Sequence, residues 1–407
     1  MLNFLAVGIG QCGNKFADAF AGCKMKAIAI NTTDKDMSKL KNIDKQNLVN
    51  ISINNNGGAG KTPEIGQISM LQNVEQVCSR IDAVGSDADY ILLWAGLGGG
   101  TGSGGLPVLM KELKKRGKNV IVGMTLPDAS EGYEVKMNAI KACVSILKLA
   151  EKKRVPFFII DNNRVKMDMD MESEIDRSAS NQKIARIISQ FNKYANQASS
   201  LATFDETDYR KTLAVPGMVV VTKTIIPAED VRTADSLRDA VVAEWKNNKF
   251  YSEYDASTAR MFTTIVNAPG KWLESKSNSK MVESSIISLR SECGTVSPYF
   301  GVYAYDDGTK NGAGNIVIYT MLTGLKAPME RLLKLKEDAV RENEEVKEKE
   351  QKNKIDFSAL DMDDEDDSPS FAGLMLPDDE ESKDEDDDDD DDMDTTLELL
   401  RKQGLMK

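Results

Sequence analysis

Residues Trp94 to Val108 read WAGLGGGTGSGGLPV, and seven of the fifteen are glycine. Glycine loses more backbone freedom on folding than any other residue, so a cluster persists where side chains would obstruct something. Three explanations compete: a sharp turn, close packing, or a ligand held by backbone N–H groups. The flanks narrow the choice. YILLWAG is a near-continuous apolar run, as a parallel strand buried on both faces should be. LPVLMKELKKRG has helical periodicity, which predicts a helix from about Leu106. A strand-to-helix turn of this kind brings backbone N–H groups and a helix N-terminus to the carboxyl edge of a sheet, where α/β folds bind anions. Gly98, Gly99, Gly100, Thr101, Gly102, Ser103 and Gly104 are therefore the candidate phosphate cradle, with two hydroxyl donors among them. A merely flexible loop is the competing explanation, and the position at a strand end speaks against it.

The rest of the chain sets bounds. Its 407 residues, 41% hydrophobic and 29% charged, are enough for two or three globular domains. No apolar run reaches the length of a membrane span, and MLNFLAVGIG reads as a first strand without a basic leader. Five scattered cysteines form no CxxC pair, which suggests a reducing, cytoplasmic setting. There is no histidine. Ser-His-Asp triads, Cys-His pairs and His-based metal sites are excluded together, so catalysis must rest on carboxylates, amides, hydroxyls, backbone and bound ions. Net charge is unevenly placed. Between Asp356 and Asp394 stand 21 acidic residues and one lysine, a net of −20, which leaves the remainder of the chain at +7.

Along the chain, FLAVGIG, KAIAIN, YILLWAG, NVIVGMTL and VPFFIID read as buried strands separated by helical stretches. That is the pattern of a doubly wound α/β domain, assigned to residues 1–180. A central helix follows over 181–202, with Ile184, Ile187, Ile188, Phe191 and Ala195 on one face. Residues 203–325 carry four more strands and fewer helices, which predicts a mixed α+β sheet covered on one side. A long charged helix at 326–355 either projects into solvent or lies on a partner. Residues 356–407 form a self-repelling acidic tail.

Several glycine motifs need separating. GIGQCG, Gly8 to Gly13, matches a dinucleotide fingerprint, but the second strand closes on Asn31 where that fold requires an acid for the ribose. GGAGKT, Gly57 to Thr62, resembles a P-loop end. Its first required glycine is replaced by Asn55 and it sits in a long polar loop, so the P-loop reading fails and Lys61 need not touch phosphate.

GGGTGSG is the signature loop of the tubulin/FtsZ superfamily, which the chain resembles over roughly residues 1–325. Other pieces fall in that family's order. GQCGN resembles tubulin's first nucleotide loop, which implies Gly10, Gln11, Cys12 and Asn14 at the nucleotide. NTTD resembles the second, with Asn31. GAGKTPEIG resembles the loop near the γ-phosphate, with Gly58, Ala59 and Gly60. LPDASEG implies a ribose contact for Glu131. IIDNNR and the start of the central helix imply base contacts for Asn162 and Asn181, and the resemblance implies GTP or GDP with Mg²⁺ as the bound group, and no protein metal cluster. TFDETD, Thr203 to Asp208, resembles the catalytic loop that enters the next subunit's site, with Asp205 and Asp208 positioning water. It departs from the family pattern at Thr203, where Asn is usual. Val135 stands where FtsZ has an Arg near the phosphates, and the adjacent Lys136 is a substitute only in principle.

The resemblance implies a polymerising cytoskeletal GTPase that associates with itself head to tail. The long charged helix and altered loop look most like the plasmid and phage relatives TubZ and PhuZ, which implies DNA segregation or positioning. The tail would then either meet a DNA-bound adaptor through Arg401, Lys402 and Lys407, as the TubZ resemblance implies, or bind the mildly basic body of the neighbouring subunit through its acids, as the PhuZ resemblance implies; a merely solubilising tail is the third reading. Direct nucleic-acid or membrane binding is not expected. An FtsZ-like division filament, and a nucleotide-binding scaffold with little hydrolysis, stand as alternatives.

Overall fold

Runs of residues that are apolar at every position become strands buried on both faces. Strand β1 (Phe4–Ile9), β4 (Tyr90–Gly96), β5 (Val120–Leu126) and β6 (Pro156–Asp161) are almost entirely buried, with β2 (Lys26–Asn31) and the short β3 (Leu48–Asn50) beside them. The computed structural model describes residues 2–53, 57–168, 178–294, 298–306, 308 and 314–352. Residues 1–352 group as one unit. The acidic tail, its basic end and Asn55 lie outside the described residues.

Helices α1 (Gly10–Gly22), the short α2 (Asp34–Met37), α3 (Pro63–Val84), α4 (Gly100–Lys115), α5 (Tyr133–Lys153), α6 (Asn162–Asp168) and α7 (Ser178–Tyr194) alternate with these strands. Next come α8 (Glu206–Leu213), β7 (Gly217–Pro227), α9 (Ala234–Lys246), β8 (Met261–Pro269), α10 (Gly270–Leu273), α11 (Lys276–Glu292), β9 (Pro298–Tyr305), β10 (Asn315–Leu325) and α12 (Met329–Lys352). The doubly wound reading holds. Among the described residues all the strands share one sheet, in the order β3-β2-β1-β4-β5-β6-β7-β10-β8-β9. It is parallel from β3 to β7, turns antiparallel around β10, and ends with β9 parallel to β8. The two halves of the sheet join through two residue pairs, Pro156 with Gly217 and Phe157 with Met218.

Two expectations change. The second half of the sheet is covered on both sides. Thr320 on one face accepts from Trp245 Nε1 of α9 at 2.8 Å, while on the other Tyr319 meets Phe191 of α7, ring centroids 6.2 Å apart. The central helix thus serves as the second cover. Likewise α12 does not project or wait for a partner along its first half. Leu332, Leu335 and Ala339 are buried, and the helix packs on α5.

The core beneath the glycine stretch centres on Trp94, which stacks on Phe16 at 4.3 Å and lies 5.8 Å from Phe158. Around it, backbone approaches are too close for side chains. A Cβ on Gly104 would lie 1.9 Å from the Pro63 carbonyl oxygen of α3. Replacing a helical glycine by alanine gains about 1 kcal/mol of helix propensity. Overpacking against a backbone atom that cannot rotate away costs about 1–3 kcal/mol, and here the contact is far below van der Waals distance. The clash should win. Gly104→Ala is expected to lower the thermal midpoint by several degrees in calorimetry, and an unchanged or raised midpoint would contradict this packing.

Candidate functional site

The carboxyl ends of five parallel strands meet at one place. Gly10, Gln11 and Cys12 follow β1, and Asn31 to Thr33 close β2. Gly96 to Gly102 follow β4, Thr125, Pro127 and Glu131 lie at the end of β5, and Asn162 follows β6. With Gly57 to Lys61 at the rim and Asn181 from α7, they line a cavity of about 580 Å³. That is the size range of small-molecule sites.

Its electrostatics come from the backbone. Helix α4 begins at Gly100, six residues before the apolar periodicity suggests, so the signature glycines themselves are its first turns. Helix α1 begins at Gly10. Neither helix has a side-chain cap or an acidic residue in its first turn. The first N–H groups of a helix lack intrahelical partners and carry partial positive charge. Two such ends open on one cavity, and they are nearly in contact, since a Cβ on Gly10 would sit 3.1 Å from the Gly102 nitrogen. Gly10 and Gly98 both have positive φ, +72° and +110°, which a side chain would strain. At Gly99 a Cβ would meet nothing within 4 Å. This is a cradle for an oxyanion with room for its oxygens.

Hydrogen bonds fix the rim. Thr32 Oγ1 lies 2.8 Å from Thr101 Oγ1 and accepts from Ala59 N at 3.1 Å, tying β2, α4 and the loop 57–62 together. Asn31 accepts from Thr32 N at 2.9 Å and donates to Asp36 at 3.2 Å. Cys12 and Thr125 touch at 3.4 Å. Three residues assigned to the nucleotide do not line the cavity. Asn14 is buried and accepts from Ile30 N, joining α1 to β2. Ser103 accepts from Gly98 N at 2.9 Å and so shapes the loop from behind. Gly104 is spent on the contact with α3. The remaining assigned residues, Gly10, Gln11, Cys12, Asn31, Gly58, Ala59, Gly60, Gly98, Gly99, Gly100, Thr101, Gly102, Glu131, Asn162 and Asn181, are brought together.

The structure adds lining residues that the sequence reading missed. Lys15 stands one helical turn after Gln11, a spacing that could have found it. Asp36 and Thr125 carried no usable signal. Lys61 also lines the cavity, although its loop is not a P-loop. Val135 lines it too, while Lys136 does not. One residue further round α5, Lys136 is 1% exposed, donates to the Ala129 carbonyl at 3.0 Å and pairs with Glu342 of α12. It is committed elsewhere and cannot stand in for a phosphate-binding arginine.

Asp205 and Asp208 are absent from the cavity. Asp205 caps α8, accepting from Asp208 N at 2.9 Å. Between them and Thr203 the buried Phe204 anchors the segment, its N–H donating to Tyr303 at 3.1 Å. Tyr209 of α8 packs on Phe4, the first residue of β1, and Arg210 pairs at 2.7 Å with Asp89, just before β4. These are the amino ends of strands whose carboxyl ends hold the cavity. Seven residues of β4 span about 20 Å, so the acids and the cradle of one subunit are far apart. Burial, and then the charge of Asp205, push the Asp208 carboxyl above its ordinary range.

Residues 3–169 match the GTPase domain of the tubulin/FtsZ family. The chain is 30% identical over 282 residues to the tubulin-like protein CetZ of Pyrococcus abyssi, covering 67% of this chain and 74% of the relative. The chain belongs to the tubulin/FtsZ family. A shorter match, 34% identical over 163 residues and 39% of each chain, is to the cell division protein FtsZ 2 of Halobacterium salinarum. Among solved folds, a GTPγS-form protofilament of TubZ from Bacillus thuringiensis serovar israelensis superposes with TM-score 0.71 at 20% identity, covering 86% of this chain and 94% of that one. A GTPγS-bound protofilament of CetZ2 from Haloferax volcanii gives 0.68 at 23%, covering 84% and 100%. TubZ is thus among the fold neighbours, as the sequence suggested. CetZ is a branch that the sequence reading did not weigh. Among the described residues no helix is long and apolar enough to cross a membrane, and no cluster of three metal-ligating side chains occurs.

Side chains at Gly99 should separate binding from folding. Gly99→Val places methyl groups in the open cradle at a position with ordinary φ. Its stability should stay within about 1 kcal/mol of the parent. Displacing one or two charge-assisted hydrogen bonds to phosphate should weaken nucleotide binding about a hundredfold, measurable by equilibrium titration.

Proposed function

We propose that this protein is a GTP-dependent polymerising GTPase whose active site is completed between subunits stacked head to tail. The observation that carries the reading is the separation of the two halves of the machinery. The uncapped ends of α1 and α4 open at the carboxyl edge of the sheet, while Asp205 and Asp208 sit near the amino ends of β1 and β4. A subunit cannot bring its own acids to its own cradle. A second copy stacked along the strand direction brings its acids to the first copy's cavity, and repetition of that contact makes an open filament.

Phosphoryl transfer needs positioning and charge neutralisation more than covalent chemistry. The backbone N–H groups of Gly99 to Gly102 and Gly10 to Cys12 hold the phosphates. Glu131 holds the ribose, and Asn162 and Asn181 read the base. Asp205 and Asp208 of the neighbour orient the attacking water. Mg²⁺ would arrive with the phosphates, with Gln11 and Asp36 offering oxygen atoms at the cavity, in keeping with its preference for phosphate, water and few protein ligands. Held there, the ion would supply charge neutralisation at the transferring group.

A scaffold with little hydrolysis is favoured by one observation. The Thr203 hydroxyl, where the family pattern has Asn, is closed on Ser199, accepting from its N–H at 3.2 Å and facing its carbonyl at 3.4 Å. For cargo, the TubZ resemblance supports plasmid or phage DNA. A tail of net charge −20 is repelled by DNA phosphates, so such cargo would be held through an adaptor protein in the cytoplasm. The relative named as a cell division protein supports a division filament as the alternative.

Phosphate release with GTP should be near zero below a threshold protein concentration and rise steeply above it. Turnover strictly proportional to protein would contradict the shared site, and filaments without turnover would favour the scaffold. Asp208→Asn should assemble yet lose turnover by about a hundredfold or more. Because the folded-state pKa of Asp208 is raised, its ionised form opposes folding at neutral pH, and that opposition fades as pH falls through the raised value. The thermal midpoint of Asp208→Asn at neutral pH should therefore equal or exceed that of the parent.

A further inference from the structure

The base and ribose loops rest on a residue from the other end of the chain. Arg331, in the first turn of α12, is held nearly out of solvent against Asp161, whose side chain is 3% exposed. Its Nε donates to Asp161 Oδ2 at 2.7 Å and its Nη2 to Oδ1 at 3.1 Å. The same Nη2 lies 3.2 Å from the Pro127 carbonyl. Asp161 Oδ1 also accepts from Asn163 N at 3.0 Å, so it fixes the start of α6, where Asn162 faces the cavity. Pro127 opens the loop that carries Glu131. One guanidinium therefore holds both loops from behind. A second tie lies further along the same helix, where Glu342 pairs with Lys136, which donates to the Ala129 carbonyl in that loop. Of the groups making these ties only Pro127 lines the cavity, and none belongs to the glycine cradle, which is built from the backbone of α1 and α4.

We infer that Arg331 is a positioning residue for nucleoside recognition: α12 clamps the ribose and base loops in register with the cavity while leaving the phosphate cradle independent. This rests on the proposed roles of Glu131 and Asn162. The physical reason is geometric. A planar fork donates from two nitrogens to the two carboxylate oxygens and keeps a further N–H for a carbonyl, whereas the donors of an ammonium all sit on one nitrogen and do not match that spacing. Arg331→Lys keeps the positive charge that the buried Asp161 requires, so the fold is retained while the fork is lost.

The test uses the full chain, at concentrations below assembly. In nucleotide-free protein, hydrogen exchange of residues 126–132 and 159–166 should quicken in Arg331→Lys and stay unchanged at 98–104. This arm does not depend on the nucleotide reading. Equal exchange in both regions would overturn the clamp. In the second arm, Arg331→Lys should release a fluorescent GDP about tenfold faster than the parent. Its affinity for inorganic tripolyphosphate, which meets only the cradle, should stay within about twofold, below the effect of one hydrogen bond. GDP release at the parent rate, or a parallel loss of tripolyphosphate affinity, would overturn the proposal. Arg341→Ala, which removes an exposed pair with Asp338 on the same helix, should leave both values unchanged. If the parent binds tripolyphosphate but shows no preference for GDP over it, the roles of Glu131 and Asn162 fail and the clamp's function fails with them, even where the exchange arm succeeds.

Discussion

Two helix N-termini without caps, brought almost into contact at the edge of a parallel sheet, are the constraint from which the rest follows. Unpaired N–H groups of this kind are costly to bury and become favourable when an anion occupies them. Neither end can be closed by a side chain without filling the space the anion needs. Gly99 borders that open space, while Gly10 and Gly98 hold positive-φ conformations that other residues rarely adopt, at points where a side chain would also meet Gly102 and Val135. Behind the cradle the demands reverse. Gly104 and Gly13 carry no side chain because α3 and β4 press directly on the helices, and Trp94 fills the remaining volume against Phe16. The same glycine-rich segment thus serves an anion at its open side and close packing at its inner side.

On the proposed reading, the sheet turns this local arrangement into a property of the assembly. Parallel strands give it two different edges. The cradle takes the carboxyl edge, and Asp205 and Asp208 take the amino edge, where Phe204 and Tyr209 anchor them to the core and Arg210 ties α8 to Asp89. Distance along β4 keeps the cradle and the two acids of one chain apart, and stacking along the strand direction is the proposed arrangement that joins them. Protofilament structures of TubZ and CetZ2 share the fold at 20% and 23% identity.

Much of this was legible in the chain because it rests on repeated local rules. Buried runs such as YILLWAG could only be central strands, and the missing ribose acid at Asn31 separated this fold from a dinucleotide fold. The glycine motifs then located most of the cavity. What stayed hidden depends on direction and partnership. Periodicity placed the start of α4 at Leu106, because glycines carry no apolar signal even when they are helical. Asn14 and Ser103 look like ligands by position, and their side chains are instead used by Ile30 N and Gly98 N. Lys136 differs from Val135 by one step of the helix, which turns it from the cavity to Glu342. The docking of α12 was invisible because Arg331 and Asp161 are 170 residues apart. Thr125 and Asp36 had no motif to mark them.

The central claim is that one subunit's cradle works with another's acids, and mixing two inactive variants tests it most directly. Gly99→Val retains the acids and lacks a usable cradle; Asp208→Asn retains the cradle and lacks the acid. Each alone should show almost no phosphate release. Mixed in equal amounts above the assembly threshold, random stacking joins an intact cradle to intact acids in about a quarter of contacts, so turnover should recover to about a quarter of the parent value. No recovery, in mixtures shown by light scattering to have copolymerised, would contradict the shared site and place the catalytic acids elsewhere.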